Sequence, residues 1–358
     1  MNNNLGIKEL AKLAEVSIGT VDRVLHNRDG VSSATKEKVL KIVEETGYKK
    51  NVMASRLKLA SIKVIKIAVL VPDSAKESSY WNLPVRGVES AVEELREFGV
   101  STQFFYFELL NPATFSETID SIIEEEFDGL VTVPFFEEES NVLLAKAKVK
   151  NLPVVFIDAE RHLNLPANYI TQNAINAGMV AARLLHGVSG DNASYIVVNI
   201  INKRGKQINN LQREVGFRTY FGENLKGKDI DIHAIDHPMI NRLNLSDEIR
   251  EVLKCDGPKG IFVTNSRAFI IPRLLRDYNI KNTRLIGFDL NPKNIALLKS
   301  GDIDFLINQK PEFQGYSAVK GLYKFLTERD RSLLNLEIPI EIVVKENLSS
   351  FDQSKLDV

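Results

Sequence analysis

Ile7-Lys8-Glu9-Leu10-Ala11-Lys12-Leu13-Ala14-Glu15-Val16-Ser17-Ile18-Gly19-Thr20-Val21-Asp22-Arg23-Val24-Leu25 holds two short helical periods with a break between them. Ile7, Leu10, Ala11 and Ala14 recur at helical spacing, which predicts an amphipathic helix over about 6–14. Glu15-Val16-Ser17 interrupts it, and Ser17 is a good N-cap for a second helix from Ile18 to about Leu25. The second helix would bury Val21, Val24 and Leu25, leaving Ile18, Gly19, Asp22, Arg23 and His26 on or near its outer face. After the Asn27-Arg28-Asp29-Gly30 turn, Ser32 or Ser33 caps a third helix to about Thr46, with Val39, Ile42 and Val43 inward and Gly47 as its stop. Two short helices across a three-residue turn, closed by a third, make a helix-turn-helix unit whose second helix is sized for a DNA major groove.

Charge supports a division of labour along the chain. Residues 1–66 carry 13 Lys and Arg against 7 Asp and Glu, a net of +6, so the other 292 of the 358 residues carry −7 of the overall −1. A basic head on an acidic body suggests that one end meets phosphate and the other does something else. Hydrophobic residues at 44% and charged ones at 26% are ordinary for a soluble, well-cored protein. One cysteine, Cys255, excludes a disulfide framework or a thiolate metal cage. No apolar run reaches the 18 or so residues of a membrane span, and Met1-Asn2-Asn3-Asn4 lacks the start of a secretory signal, so a cytoplasmic protein without membrane attachment is expected.

From Ile62 onward the period changes to β-branched apolar runs alternating with helical segments. Strands are predicted over 64–71, 101–109, 129–133 and 153–157, with helices over 84–98, 113–125 and 139–150. After Tyr169–Asn173 the alternation restarts, with strands near 194–200, 230–235, 260–265, 284–289 and 304–308. Continuous apolar strands between helices imply parallel strands buried on both faces, and the length fits two successive doubly wound α/β lobes. No glycine-rich phosphate loop follows any of these strands.

The head, through Ile7–Ala14, Val16-Ser17, Thr20-Val21, Arg23-Val24-Leu25 and Gly47-Tyr48, resembles the DNA-binding domain of LacI/GalR transcriptional regulators. The body resembles the periplasmic sugar-binding fold those regulators carry, on Ile67–Pro72, Asp128–Leu130, Pro153–Asp158, Arg213–Phe217, Val263–Asn265, Ile286–Asp289 and Ile307–Gly315 in order. The resemblance implies a helix-turn-helix domain over 1–50, a hinge helix or linker over 51–61 and a ligand-binding domain over 62–345. The first lobe would take about 62–170 and 309–335, the second about 173–306 and 337–358.

The same resemblance implies the sites. Ser17, Ile18, Gly19, Thr20, Asp22 and Arg23 would face operator DNA, although Asp22 departs from the small hydroxyl residue usual there. Arg23 has the fork to pair with a guanine edge. Asn51, Ala54, Arg56 and Leu57 would belong to a hinge helix, with Leu57 as a minor-groove wedge. In the body, Tyr80 and Trp81 would stack on a sugar face, while Asp158, Asn173, Arg213, Asn265, Asp289 and Gln309 would bond its hydroxyls. Ala159 and Ser266 depart from the arginine and aspartate common in relatives, and Arg161 is near enough to substitute for the first.

No catalytic constellation is visible. His233 and His237 share one strand face without a third ligand, no G-x-S-x-G elbow occurs, and no metal or cofactor is expected. The expectation is a non-enzymatic, ligand-responsive regulator, acting as a repressor on a near-palindromic operator. It would work as a homodimer, since the tail Asn347–Val358 lacks leucine heptads. Its effector would be a sugar or a similar small polar molecule. The alternative is a cytoplasmic small-molecule sensor whose head serves protein contacts.

Overall fold

The structure, a computed structural model, describes residues 7–25, 29–46, 48, 64–75, 79–159, 163–201, 206–225, 230–238, 247–254 and 256–351. The main break between two units falls at Val64–Ile65.

In the first unit, α1 (Ile7–Ala14), α2 (Ile18–Leu25) and α3 (Ser33–Thr46) follow the periodicity closely. Leu10, Ala11, Ala14, Val21, Val24 and Val39 form its core, and Ile42 and Val43 pack on it. α1 ends where Glu15 turns left-handed (φ 55°), and the Val16 N–H then reaches back to the Ala11 carbonyl at 3.0 Å. The Ser17 hydroxyl caps α2 by accepting from the Thr20 N–H (3.1 Å), and the Ser32 hydroxyl caps α3 by accepting from the Thr35 N–H (3.2 Å). His26, Gly47 and the proposed hinge residues Asn51, Ala54, Arg56 and Leu57 lie outside the described residues.

The second unit contains two six-stranded sheets. The first lobe comprises β1 (Ile65–Pro72), α4 (Asn82–Leu95), β2 (Val100–Phe107), α5 (Pro112–Glu124), β3 (Gly129–Thr132), α6 (Glu137–Lys150), β4 (Val154–Ile157) and β5 (Asn168–Thr171). The second lobe follows with α7 (Ala174–Ser189), β6 (Ser194–Ile201), α8 (Ile208–Asn224), β7 (Ile232–Pro238), α9 (Asp247–Lys254) and β8 (Lys259–Val263). It continues through α10 (Ile271–Asp277), β9 (Thr283–Phe288), α11 (Pro292–Ser300) and β10 (Phe305–Asn308). The chain then returns as α12 (Pro311–Glu328) and β11 (Leu336–Glu337) to the first lobe, and ends on β12 (Glu341–Val343) in the second.

Strand order is β11-β5-β4-β3-β1-β2 in one sheet and β12-β10-β9-β8-β6-β7 in the other. All pairings are parallel except β12, which runs antiparallel to β10 with Leu306 opposite Val343. Because β11 still pairs with β5, the last crossing falls at 338–340, slightly beyond the expected boundary.

β6 illustrates why the strands are apolar throughout. Ile196, Val198 and Ile200 enter one core, while Tyr195 and Val197 enter the core on the opposite face under α7 and α8. Three segments pass between the lobes, and Gln172 ties them together. Its side-chain amide donates to the Asn308 carbonyl (3.2 Å) and the Pro339 carbonyl (3.3 Å).

Glycines set the helix contacts nearest the site. A Cβ on Gly178 of α7 would lie 2.0 Å from the Arg213 carbonyl of α8, and one on Gly216 would lie 1.9 Å from the Ile175 carbonyl. The first lobe repeats this reciprocal contact between α4 and α12 through Gly87 and Gly315.

Candidate effector cleft and head surface

The C-terminal ends of strands from both lobes converge on one cleft, as expected for an open α/β sheet. Tyr80, Trp81, Asp158, Arg213, Asn265, Asp289 and Gln309 all line it. Asp158 follows β4 and Asp289 follows β9, and both adopt left-handed backbone (φ 72° and 69°), so each lobe ends a strand by turning a carboxylate inward. Aspartate tolerates this region better than most residues.

The free space is only about 50 Å³, because the cleft's polar side chains bond to one another. The Tyr80 hydroxyl donates to Asp158 Oδ1 at 2.5 Å, and its ring meets Trp81 edge-on at 5.0 Å. Asn209 Nδ2 reaches from the second lobe to the Asp158 carbonyl at 3.1 Å. Arg213, 3% exposed, donates to the Thr264 carbonyl (2.7 Å) and Gln309 Oε1 (2.9 Å), with its guanidinium 3.6 Å from the Phe288 ring centre. Gln309 in turn donates to Asp289 Oδ2 at 3.0 Å. Asp289 Oδ1 and Arg213 Nε are buried without a hydrogen-bond partner among the described residues. Ligand hydroxyls can donate to the first and accept from the second.

Asn173 does not join this set. It is the N-cap of α7, its side chain accepting from the Asn176 N–H at 3.0 Å, which is the ordinary use of asparagine at a helix start. Asn265 lines the cleft, but its amide donates to the Ile200 carbonyl (2.8 Å) and its oxygen accepts from the Arg267 N–H (3.2 Å). Glu214 does not pair with Arg213. Lys206 holds it at 3.1 Å and also holds Asp236 at 3.2 Å, bracing the start of α8.

Sequence reasoning missed Gln207, Asn209, Asn210 and Arg267, which also line the cleft, as does Ser266, noted there only as a departure from the aspartate common in relatives. Gln207, Asn210 and Arg213 recur every three residues, a signal that would have placed them on one helix face. It also missed Gln314, whose oxygen accepts from the Asp158 N–H (2.7 Å) while its amide donates to the Gln309 carbonyl (2.8 Å). Arg161 and Cys255 lie outside the described residues.

Burial is the main force on the two carboxylates. It raises Asp289 to about 7, helped by the nearby Asp158 charge and opposed by Arg213 and the Gln309 bond. Burial raises Asp158 too, against the Tyr80 bond and Arg213. A folded-state acid with a raised pKa binds a proton that the unfolded chain has released, so stability falls as pH rises from about 4 to 7. Asp289→Asn should flatten that fall, an effect on the order of a few kcal/mol across the window in denaturant titrations. An unchanged slope would remove Asp289 as its source.

On the head, Ser17, Gly19 and Arg23 are exposed, Thr20 and Asp22 are half-buried, and Ile18 is 46% exposed. The Ser17 hydroxyl also lies 2.9 Å from the Thr20 hydroxyl. Among the described residues a Cβ at position 19 would meet only the Ser17 hydroxyl at 3.7 Å, so packing there does not require a glycine. His233 pairs with Asp231 at 2.6 Å on β7, and among the described residues no group of three His, Cys, Asp or Glu could hold a metal. No described helix is long and apolar enough to cross a membrane.

A helix-turn-helix unit followed by a two-lobed ligand-binding body defines a bacterial transcriptional regulator with a periplasmic-binding-type domain. Residues 6–51 match the profile of bacterial regulatory proteins of the lacI family, and residues 67–330 match the periplasmic binding protein domain. The chain belongs to the lacI family of regulators. It is 24% identical over 290 residues to the HTH-type transcriptional regulator DegA of Bacillus subtilis, covering 79% of this chain and 81% of that one. It is 25% identical over 234 residues to catabolite control protein A of Staphylococcus aureus, covering 60% and 66%. A solved structure described as a LacI transcriptional regulator from Bacteroides fragilis superposes with a TM-score of 0.70 at 26% identity, covering 80% of this chain and 99% of that one. A glucose-galactose binding protein from Geobacillus stearothermophilus shares the fold, with a TM-score of 0.67 at 23% identity over 80% and 99% of the two chains. These relationships make the chain a regulator and not an enzyme.

Proposed function

We propose that this regulator is a cytoplasmic repressor that binds a near-palindromic operator as a homodimer and releases it when a sugar or similar small polar effector occupies the interlobe cleft. The observation that supports it most is the bonded chain Arg213–Gln309–Asp289, which sets two unpartnered buried polar atoms beside a segment passing between the lobes. A polyol supplies hydroxyls for those atoms and C–H faces for Tyr80 and Trp81. Occupancy would shift the population of lobe angles, and the heads would lose their operator spacing. Solved relatives of the same fold were determined with D-arabinose, D-allose and myo-inositol bound, which supports the polyol class.

On the head, the exposed α2 residues Ile18, Gly19 and Arg23 are offered as the reading face, with Ser17, Thr20 and Asp22 beside it. Asn51, Ala54, Arg56 and Leu57 are offered as the hinge contacts. The test is selection of genomic fragments by the full-length protein, followed by a salt titration of the selected site. A steep linear fall of log K with log salt is expected. Arg23→Ala should cost about 1–3 kcal/mol and relax preference at one base position. Unaltered affinity and base preference would remove the α2 face as the reader. Emission of Trp81, the only tryptophan, titrated with free and phosphorylated sugars and nucleosides, would identify the effector class.

A further inference from the structure

A cavity larger than the cleft also bears on the lobe junction. A half-open groove of about 860 Å³ lies on the other side of the 308–312 segment, within the 300–1,000 Å³ range of small-molecule sites. Both lobes build it. Leu83 and Arg86 of α4 and Phe313 of α12 come from the first, while Ile295 and Lys299 of α11 and the 345–351 segment come from the second.

Its chemistry is the reverse of the cleft's. Leu83, Ile295, Leu348 and Phe351 supply an apolar wall, and Phe313 is a 45% exposed ring stacked on Tyr316. Four cations line it against two carboxylates. Arg86 is paired with Glu312, and Lys310 with Glu341, both at 2.5 Å. That leaves Lys299 and Lys345, which form no ion pair among the described residues. Two unneutralised ammonium groups beside an apolar wall complement an organic molecule with an apolar body and an acidic end.

The groove is linked to the cleft by the turn that follows β10. Asn308 ends the strand, and Lys310, in left-handed backbone (φ 51°), is the N-cap of α12. Both line the groove, while Gln309 between them enters the cleft and holds Arg213 and Asp289. The geometry points to a second ligand site, for an amphipathic organic anion, that biases the lobe angle through the 308–310 segment. The site stands whatever the cleft binds. An occupant touching both lobes alters their relative free energy by its differential affinity for the open and closed arrangements.

The test uses the full-length protein and sodium dodecanoate below its micellar concentration, measured by calorimetry, with Trp81 emission recorded in parallel. Dodecanoate should bind saturably, while dodecyl maltoside (the same tail without charge) and acetate (the charge without a tail) should not. The double variant Lys299→Glu/Lys345→Glu should bind dodecanoate at least tenfold more weakly with an unchanged unfolding temperature. Trp81 emission should shift in the parent and not in the variant. Absent binding, equal binding of the neutral detergent, or a variant that titrates like the parent would overturn the proposal. So would a variant whose sedimentation drops from dimer to monomer, since the groove would then be an interface between copies.

Discussion

Arg213→Met should destabilise the second unit by about 3–5 kcal/mol, the cost of removing one partner from a buried ionic group. The side chain is 3% exposed and is the cation that opposes the raised pKa of both Asp158 and Asp289. Methionine fills most of the volume over Phe288, so the loss is electrostatic and polar rather than a cavity. The Thr264 carbonyl and Gln309 Oε1 would each lose a charged donor. Asp158 and Asp289 would repel each other with nothing between them. The loss must therefore depend on pH. Near pH 5 Asp289 takes up a proton and the penalty shrinks, whereas at pH 8 it is full. Adding Asp289→Asn to Arg213→Met should recover a good part of the loss, and the double-mutant cycle gives the coupling directly. Denaturant unfolding at the two pH values decides it. A loss below about 1 kcal/mol that is the same at both would show that Arg213 is not the counter-ion of this site.

Much of this arrangement was legible in the sequence, for a physical reason that also sets its limit. Periodicity records which face of an element is buried, so α1, α2 and the strands at 65–72 and 154–157 fall close to their expected bounds. Strand ends are equally legible, because polar residues after apolar runs in an α/β sheet face the crevice, as Asp158 and Asp289 do. The same rule misplaced Asn173, since asparagine after a strand also caps the next helix and composition does not distinguish the two uses. Buried amides were the least legible. Gln172 and Gln314 look like surface residues in sequence, and only the fold brings each between two carbonyl or amide groups of different segments. The groove escaped because Phe313, Lys299 and Lys345 are far apart in sequence and share no period.

Gly178→Ala should be a severely damaging methyl addition near the site, abolishing the effector response and costing about 3 kcal/mol or more, above the 1–3 typical of overpacking. Ordinary overpacking meets side chains that can rotate away. Here the new Cβ would lie 2.0 Å from the Arg213 carbonyl oxygen and 2.9 Å from the Phe217 nitrogen, both backbone atoms of α8. Relief requires the whole helix to move outward. Its reciprocal neighbour Gly216, packed on the Ile175 carbonyl, would move with it. Arg213 rides on the displaced turn, so its bonds to Thr264 and Gln309, 2.7 and 2.9 Å long, would break together. Destabilisation and loss of the cleft are thus one event, which separates this variant from Gly187→Ala on the same α7, where a Cβ meets nothing within 4 Å. Gly187→Ala should instead stabilise by up to about 1 kcal/mol, because alanine is the better helix former. Thermal unfolding and the Trp81 titration on the two variants test the argument. If Gly178→Ala unfolds like the parent and still answers the effector, close backbone contact between α7 and α8 is not what holds Arg213 in place.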